Sequence, residues 1–142
     1  MQETTTKYIY KKVLLIDDTE VDRYVAVRNI KKFSLAEEVI EKESVDEALK
    51  YLVSLQDTPE QLPQLIFLDI RMPVKSGFQF LEEYGLLPDS IRKGCIIIML
   101  STSLDANDQK KARDNQYVFK FINKPLNSEV INGLISELNG IV

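Results

Sequence analysis

Residues 65–77 read Leu65-Ile66-Phe67-Leu68-Asp69-Ile70-Arg71-Met72-Pro73-Val74-Lys75-Ser76-Gly77. The four apolar residues at the front have the length and composition of a buried strand. Asp69 closes that strand, and a Pro- and Gly-punctuated loop follows at once. A carboxylate in this position sits at the rim of a sheet, which is where open α/β folds place their chemistry. The rest of the chain decides whether other residues converge on it.

Working outward, three more runs resemble the first. Val13-Leu14-Leu15-Ile16 ends in Asp17-Asp18. Cys95 to Leu100 leaves through Ser101-Thr102-Ser103. Tyr117 to Ile122 turns at Asn123-Lys124-Pro125. Leu35 to Glu41 is a weaker fifth candidate.

Helical spacing lies between these runs. Thr19 or Asp18 is placed to cap a helix whose apolar side is Val21, Tyr24, Val25, Val27, Ile30 and Phe33. Ser44 and Glu47 have capping-box spacing ahead of Ala48, Tyr51, Leu52 and Leu55. Gln56 to Gln64, with Pro59 and Pro63, reads as a loop. A helix is expected near Gly77 to Tyr84, ended by Gly85 and Pro88. Leu104 to Asn115 is helical in spacing but poor in apolar residues, with Leu104, Ala106 and Ala112 as its core candidates. Asn127 or Ser128 caps a last helix with a stripe of Ile131, Leu134, Ile135 and Leu138. Residues 1–10 read as a tail and 11–142 as one domain.

Strands alternating with helices predict a parallel sheet covered on both faces. Right-handed crossovers bring every strand's C-terminal end to one edge. That edge then gathers Asp17, Asp18, Asp69, Ser101 and Lys124.

Composition narrows the chemistry. At 142 residues with net charge −4, the chain lacks the basic excess of a general nucleic-acid binder. No apolar run approaches membrane-spanning length, and the N-terminus lacks a signal-peptide core. Cys95 is alone, which excludes an internal disulfide and favours a cytoplasmic setting. There is no histidine, so Ser-His-Asp and Cys-His catalysis and histidine metal sites are all excluded. Carboxylates crowded at one edge repel one another unless a cation joins them. Oxygen ligands favour a hard ion, and Mg²⁺ suits one or two carboxylates plus water. With Lys124 and the Ser101 hydroxyl alongside, the set suits a phosphoryl group, with Asp69 as the group that accepts it. Taken singly, each residue is better explained as a cap, a turn residue or a solvated charge. Four matches, each at the end of its own strand, make coincidence a poor explanation.

These residues resemble the receiver domain of two-component response regulators over roughly residues 11–139. The resemblance rests on Val13 to Asp18, Asp69 to Pro73 with Ser76-Gly77, Ser101, and Lys124-Pro125. It implies a flavodoxin-like (βα)5 three-layer sandwich around a five-stranded parallel sheet in 2-1-3-4-5 order. It implies phosphorylation of Asp69 by a sensor histidine kinase or a histidine phosphotransfer protein. It implies Mg²⁺ held directly by Asp18, Asp69 and the backbone carbonyl of Arg71, with Asp17 acting mostly through water. Ser101 and Lys124 match the phosphoryl-contacting hydroxyl and amine, and Phe121 the aromatic switch position. The Lys124-Pro125 bond is expected to be cis, which proline permits. Thr102 stands where the family commonly has Ala, and a branched residue there is expected to crowd the phosphoryl pocket. Arg71 and Ser103 fall at variable positions that tune the phosphoryl lifetime.

With no residues after 142 for an output domain, the expectation is a stand-alone switch, monomeric or weakly dimeric, that passes its signal to a protein partner. Catalytic turnover is not expected. A haloacid-dehalogenase-like phosphatase uses a similar aspartate but wants a second acid two residues on, where Arg71 stands. A phosphate-independent interaction module is the other alternative, and it predicts loss of the acidic pocket, which here is complete.

Overall fold

In the computed structural model, which describes residues 8–139, five strands form one sheet. They are β1 (Tyr10–Ile16), β2 (Ala36–Lys42), β3 (Leu65–Asp69), β4 (Ile96–Ser101) and β5 (Val118–Asn123). Their order is β2-β1-β3-β4-β5, and every neighbouring pair is parallel. Chain order reverses between β1 and β3, and the ends of those two strands bound the crevice where such folds bind ligands.

β3 is the central strand, and all five of its residues are buried. Its alternating side chains feed two separate cores. Leu65 and Phe67 join Val13, Leu15, Ile98 and Leu100 beneath α1 (Glu20–Lys32) and α6 (Ser128–Asn139). Ile66 and Leu68 join Leu14, Ile16, Ile97 and Met99 beneath the helices of the other face. These are α2 (Val45–Ser54), α3 (Gly77–Tyr84), α4 (Asp89–Arg92) and α5 (Ala106–Asp114). The three-layer architecture expected from the alternation of elements is therefore the one observed.

Several expectations change at the level of single residues. Tyr10, read as the end of the tail, opens β1 and is buried; residues 1–7 lie outside the described residues. The apolar side assigned to α1 is wrong at its start. Val21 and Tyr24 are 69% and 67% exposed, and the buried residues are Arg23, Ala26 and Ile30. Arg23 turns inward because it has partners there. Its Nη1 donates to the Asp17 carbonyl at 2.8 Å and its Nε to Glu41 at 3.1 Å, which satisfies a buried guanidinium. Leu104 is 82% exposed, because it precedes the helix that Asp105 caps. Ala106 is exposed as well, which leaves Ala112 as the one apolar residue α5 buries. The loop after α2 contains a 3₁₀ turn, Pro59–Gln61, and α4 adds a turn of helix where none was expected. Strand β4 begins at Ile96, one residue after Cys95.

Candidate functional site

The C-terminal ends of β1, β3, β4 and β5 meet at one edge, and each delivers a polar residue. Asp17 directly follows β1, and its N–H donates to the Lys42 carbonyl at 3.0 Å, which extends the ladder by one residue. Asp17 is buried, and its Oδ1 accepts the Thr19 N–H at 2.9 Å. Thr19 holds the N-cap position of α1 without a side-chain capping bond. Asp18, half-buried, points to the same place. Asp69 is the last residue of β3 and is buried. One carboxylate oxygen from each of Asp17, Asp18 and Asp69 lies within 4.8 Å of the other two.

The backbone after Asp69 is tightly built. Gly77 donates its N–H to the Ile70 carbonyl at 2.8 Å. A Cβ at Gly77 would lie 2.4 Å from the Asp69 carbonyl oxygen, so only glycine lets α3 start this close to Asp69. Val74, at the tip of the loop, has φ 71°, a strained value for a β-branched residue. Ser76 and Gln79 complete a reciprocal capping box that fixes the start of α3.

Lys124 follows β5 and reaches back across the edge. Its Nζ lies 2.7 Å from Asp17 Oδ2, 2.8 Å from Asp22 Oδ2 and 3.5 Å from Asp69 Oδ2. The Lys124–Pro125 peptide is cis. Burial opposes the charge on Lys124, but its hydrogen bonds to Asp17 and Asp22 outweigh this and hold the ammonium above the usual lysine range. Asp69 moves the other way relative to its charged form. Burial pushes its carboxyl up to about 6, Lys124 opposes that rise, and Asp17 adds to it.

Three carboxylates (Asp17, Asp22, Asp69) therefore share one ammonium, and Asp18 adds a fourth acid beside Asp17 and Asp69. The excess negative charge, the oxygen-only donor set and the burial all fit a hard divalent cation.

The other expected site residues surround this centre. Ser101, the last residue of β4, is buried, and its Oγ accepts the Ser103 N–H at 2.9 Å. Thr102 is exposed and lies beside the site, on a cavity that Asp17, Asp22 and Lys124 also line. This cavity, of about 210 Å³, lies between α1 and the Pro125 loop, with Val25, Ala26, Leu100 and Leu126. Arg71 sends its side chain away from the carboxylates to Asp108 on α5, so only its backbone stays near Asp69. Phe121, half-buried on β5, pairs in register with Met99 and borders a surface groove with Gln109, Arg113 and Phe119.

Two site residues escape a reading of the sequence. Asp22, the second close partner of Lys124, looks like an ordinary acidic residue in the first turn of a helix. Asp108 looks like one more charge on a polar helix. The only signal for Asp22 is its position one helical turn after Asp18, on the side that faces the edge.

The family model for the response regulator receiver domain matches residues 13–136. The chain is similar to the chemotaxis protein CheY of Halobacterium salinarum, with 29% identity over 128 residues, 90% of this chain and 96% of that protein. The chain is similar in structure to a two component response regulator from Cytophaga hutchinsonii, at TM-score 0.83 and 27% identity, covering 92% of this chain and 98% of that one. The Mn(2+)-bound form of response regulator Rcp1 shares the fold at TM-score 0.69 and 23% identity, covering 92% and 93%.

Proposed function

The chain belongs to the response regulator receiver family of two-component signalling proteins, and on that premise we propose that Asp69 is its phosphorylation site. That family consists of signalling proteins rather than classical enzymes. The donor is a sensor histidine kinase or a histidine phosphotransfer protein. An Asp69 carboxylate oxygen attacks the phosphorus of the phosphohistidine, the P–N bond breaks, and the leaving imidazole nitrogen takes up a proton. A cytoplasmic location is part of this reading, because such donors are charged from ATP.

The observation that carries the proposal is one buried aspartate at a strand end, within 4.8 Å of two more carboxylates and 3.5 Å of an ammonium. Asp17, Asp18, Asp69 and the Arg71 carbonyl would hold Mg²⁺, which supplies charge neutralisation for the incoming phosphoryl oxygens. Lys124 gives the same oxygens a fixed positive partner, held in place by Asp17 and Asp22. Ser101 contributes a hydroxyl donor from the neighbouring strand end. The new group brings roughly −1.5 to −2 charges to the edge. The response expected of this site is movement of Ser101 toward the phosphoryl group, an inward turn of Phe121, and a changed surface on α5, β5 and α6 for an output protein.

Incubation with Mg²⁺ and acetyl phosphate or phosphoramidate, followed by intact-mass measurement, tests this. The expected result is a stable gain of one phosphoryl group that disappears in Asp69→Asn and in the presence of a chelator. No adduct with Mg²⁺ present points to a phosphate-independent interaction module. Release of phosphate over many turnovers points to a phosphatase.

A further inference from the structure

Helix α5 is anchored differently from every other long helix of its layer. It buries only two residues, Asp108 and Ala112. The Asp108 side chain is 7% exposed, and two donors from different segments converge on its Oδ2. One is Arg71 Nη2, from the loop after Asp69. The other is Ser103 Oγ, at 2.9 Å. Ser103 is held in turn, because its N–H donates to Ser101 Oγ at 2.9 Å. Its Oγ also accepts the N–H of Asp105, the N-cap residue of α5, at 3.1 Å. An unbroken chain of hydrogen bonds thus runs from Ser101 through Ser103 and Asp108 to Arg71, two residues beyond Asp69.

We infer that Asp108 is a positioning residue that docks α5 against the loop carrying Asp69 and holds it there while the Ser101 hydroxyl faces Ser103. The trigger, though not the docking itself, rests on the proposed phosphorylation of Asp69. A buried carboxylate is tolerated only while its partners remain. If one donor is lost, Asp108 turns out to water. Ala112 alone offers too little apolar surface to keep α5 on the sheet without it. A further link to α3 is Lys111, itself exposed, over the half-buried Phe78 ring at 4.2 Å, a contact of small worth. When a phosphoryl oxygen on Asp69 draws the Ser101 hydroxyl toward itself, Ser103 loses its acceptor, and Asp108 then loses the donor that Ser103 held in place. The state of Asp69 is thereby read out as the docking of α5.

Amide hydrogen exchange on the full chain, read by mass spectrometry, tests both parts. Without phosphate, Arg71→Gln leaves Asp108 short of a partner, and amides of residues 106–114 should exchange about tenfold faster. Amides of α2 and α3 should keep their wild-type rates. Adding Asp108→Asn to Arg71→Gln removes the unpaired buried charge, so the double variant should exchange more slowly than Arg71→Gln alone. Phosphorylated wild-type protein should show the same opening of 106–114. Unchanged exchange of 106–114 in Arg71→Gln overturns the docking role, and so does a double variant no slower than the single one. Phosphorylated protein that keeps 106–114 fully protected overturns the trigger. Failure of the wild-type chain to take up phosphate sinks the proposed function instead, and the two unphosphorylated comparisons still decide the role of Asp108.

Discussion

Helices α3 and α5 flank the same site, and they are built on opposite principles. Each begins a few residues after a strand that ends at the acidic edge, and both cover the same core. Helix α3 buries Phe80, Leu81 and Tyr84 and starts from a complete capping box. The Phe80 and Tyr84 rings stack at 5.6 Å, and Tyr84 meets Tyr117 edge-on at 5.4 Å. Helix α5 buries a carboxylate and one methyl group. The first is held by non-directional burial that persists through changes of charge. The second is held by a few directional bonds, each of which one rotated side chain can break. The helix that fixes the Asp69 loop is thus the rigid one, and the helix after Ser101 is the one free to respond.

The largest expected effect lies on the rigid side. Phe80→Ala empties a fully buried position in the packed layer and should cost about 3–5 kcal/mol. Urea unfolding at neutral pH measures it. The cost should appear as a lowered midpoint for the whole domain, because α3 shares its core with β1, β3 and β4. A loss below about 1 kcal/mol, on the order of a surface substitution, would mean that α3 is not the anchored partner in this pair.

The same contrast explains what could be read before the structure. Asp17, Asp18, Asp69, Ser101 and Lys124 were legible because each terminates a strand, and parallel topology sends all such ends to one edge. Their convergence follows from chain direction alone. Asp22, Arg23 and Asp108 were not legible, because they sit on helices. There, burial depends on how the helix is rotated against the sheet, and in α1 that rotation is settled by Arg23 reaching the Asp17 carbonyl. Val21 and Tyr24 satisfied a helical apolar pattern and still face water. Local periodicity had nothing to weigh against a tertiary hydrogen bond. In α5 the scarcity of apolar residues was plain, but the substitute anchor was not, since nothing in a polar sequence marks one aspartate as the buried one.

Asp69 lies between the two helices and supplies the second test, which asks whether the charged edge sets how stability varies with pH. Burial raises its folded carboxyl to about 6 from an ordinary 3.8. A raised carboxyl pKa means that the folded state holds the proton more tightly than the unfolded chain. The ionised group therefore destabilises the fold fully above about pH 6, and this penalty fades as pH falls toward 4. The raised lysine pKa of Lys124 leaves that group charged in both states over this range, so it adds no slope. The shift corresponds to about 3 kcal/mol at most. Asp69→Asn should stabilise the metal-free protein by roughly 1–3 kcal/mol at pH 7.5, with the gain nearly gone at pH 4. Urea midpoints at the two pH values measure this. An equal gain at both would assign the effect to packing rather than charge.

The smallest expected effect separates a surface leucine from an anchor. Leu104 sits just before α5, in a helix-like apolar pattern that made it a core candidate. If it did anchor α5, the contrast with α3 would shrink, because α5 would then have a hydrocarbon foot of its own. Its 82% exposure says otherwise. A leucine that stays in water gains almost no transfer free energy on folding. Asp105, not Leu104, holds the N-cap, and its side chain accepts the Asn107 N–H at 2.8 Å. Leu104→Ser should therefore change unfolding free energy by less than about 0.5 kcal/mol and leave the exchange of residues 106–114 at the wild-type rate. A loss of about 2 kcal/mol or more, the scale of an emptied buried site, would put Leu104 against the core and show that α5 is held much as α3 is.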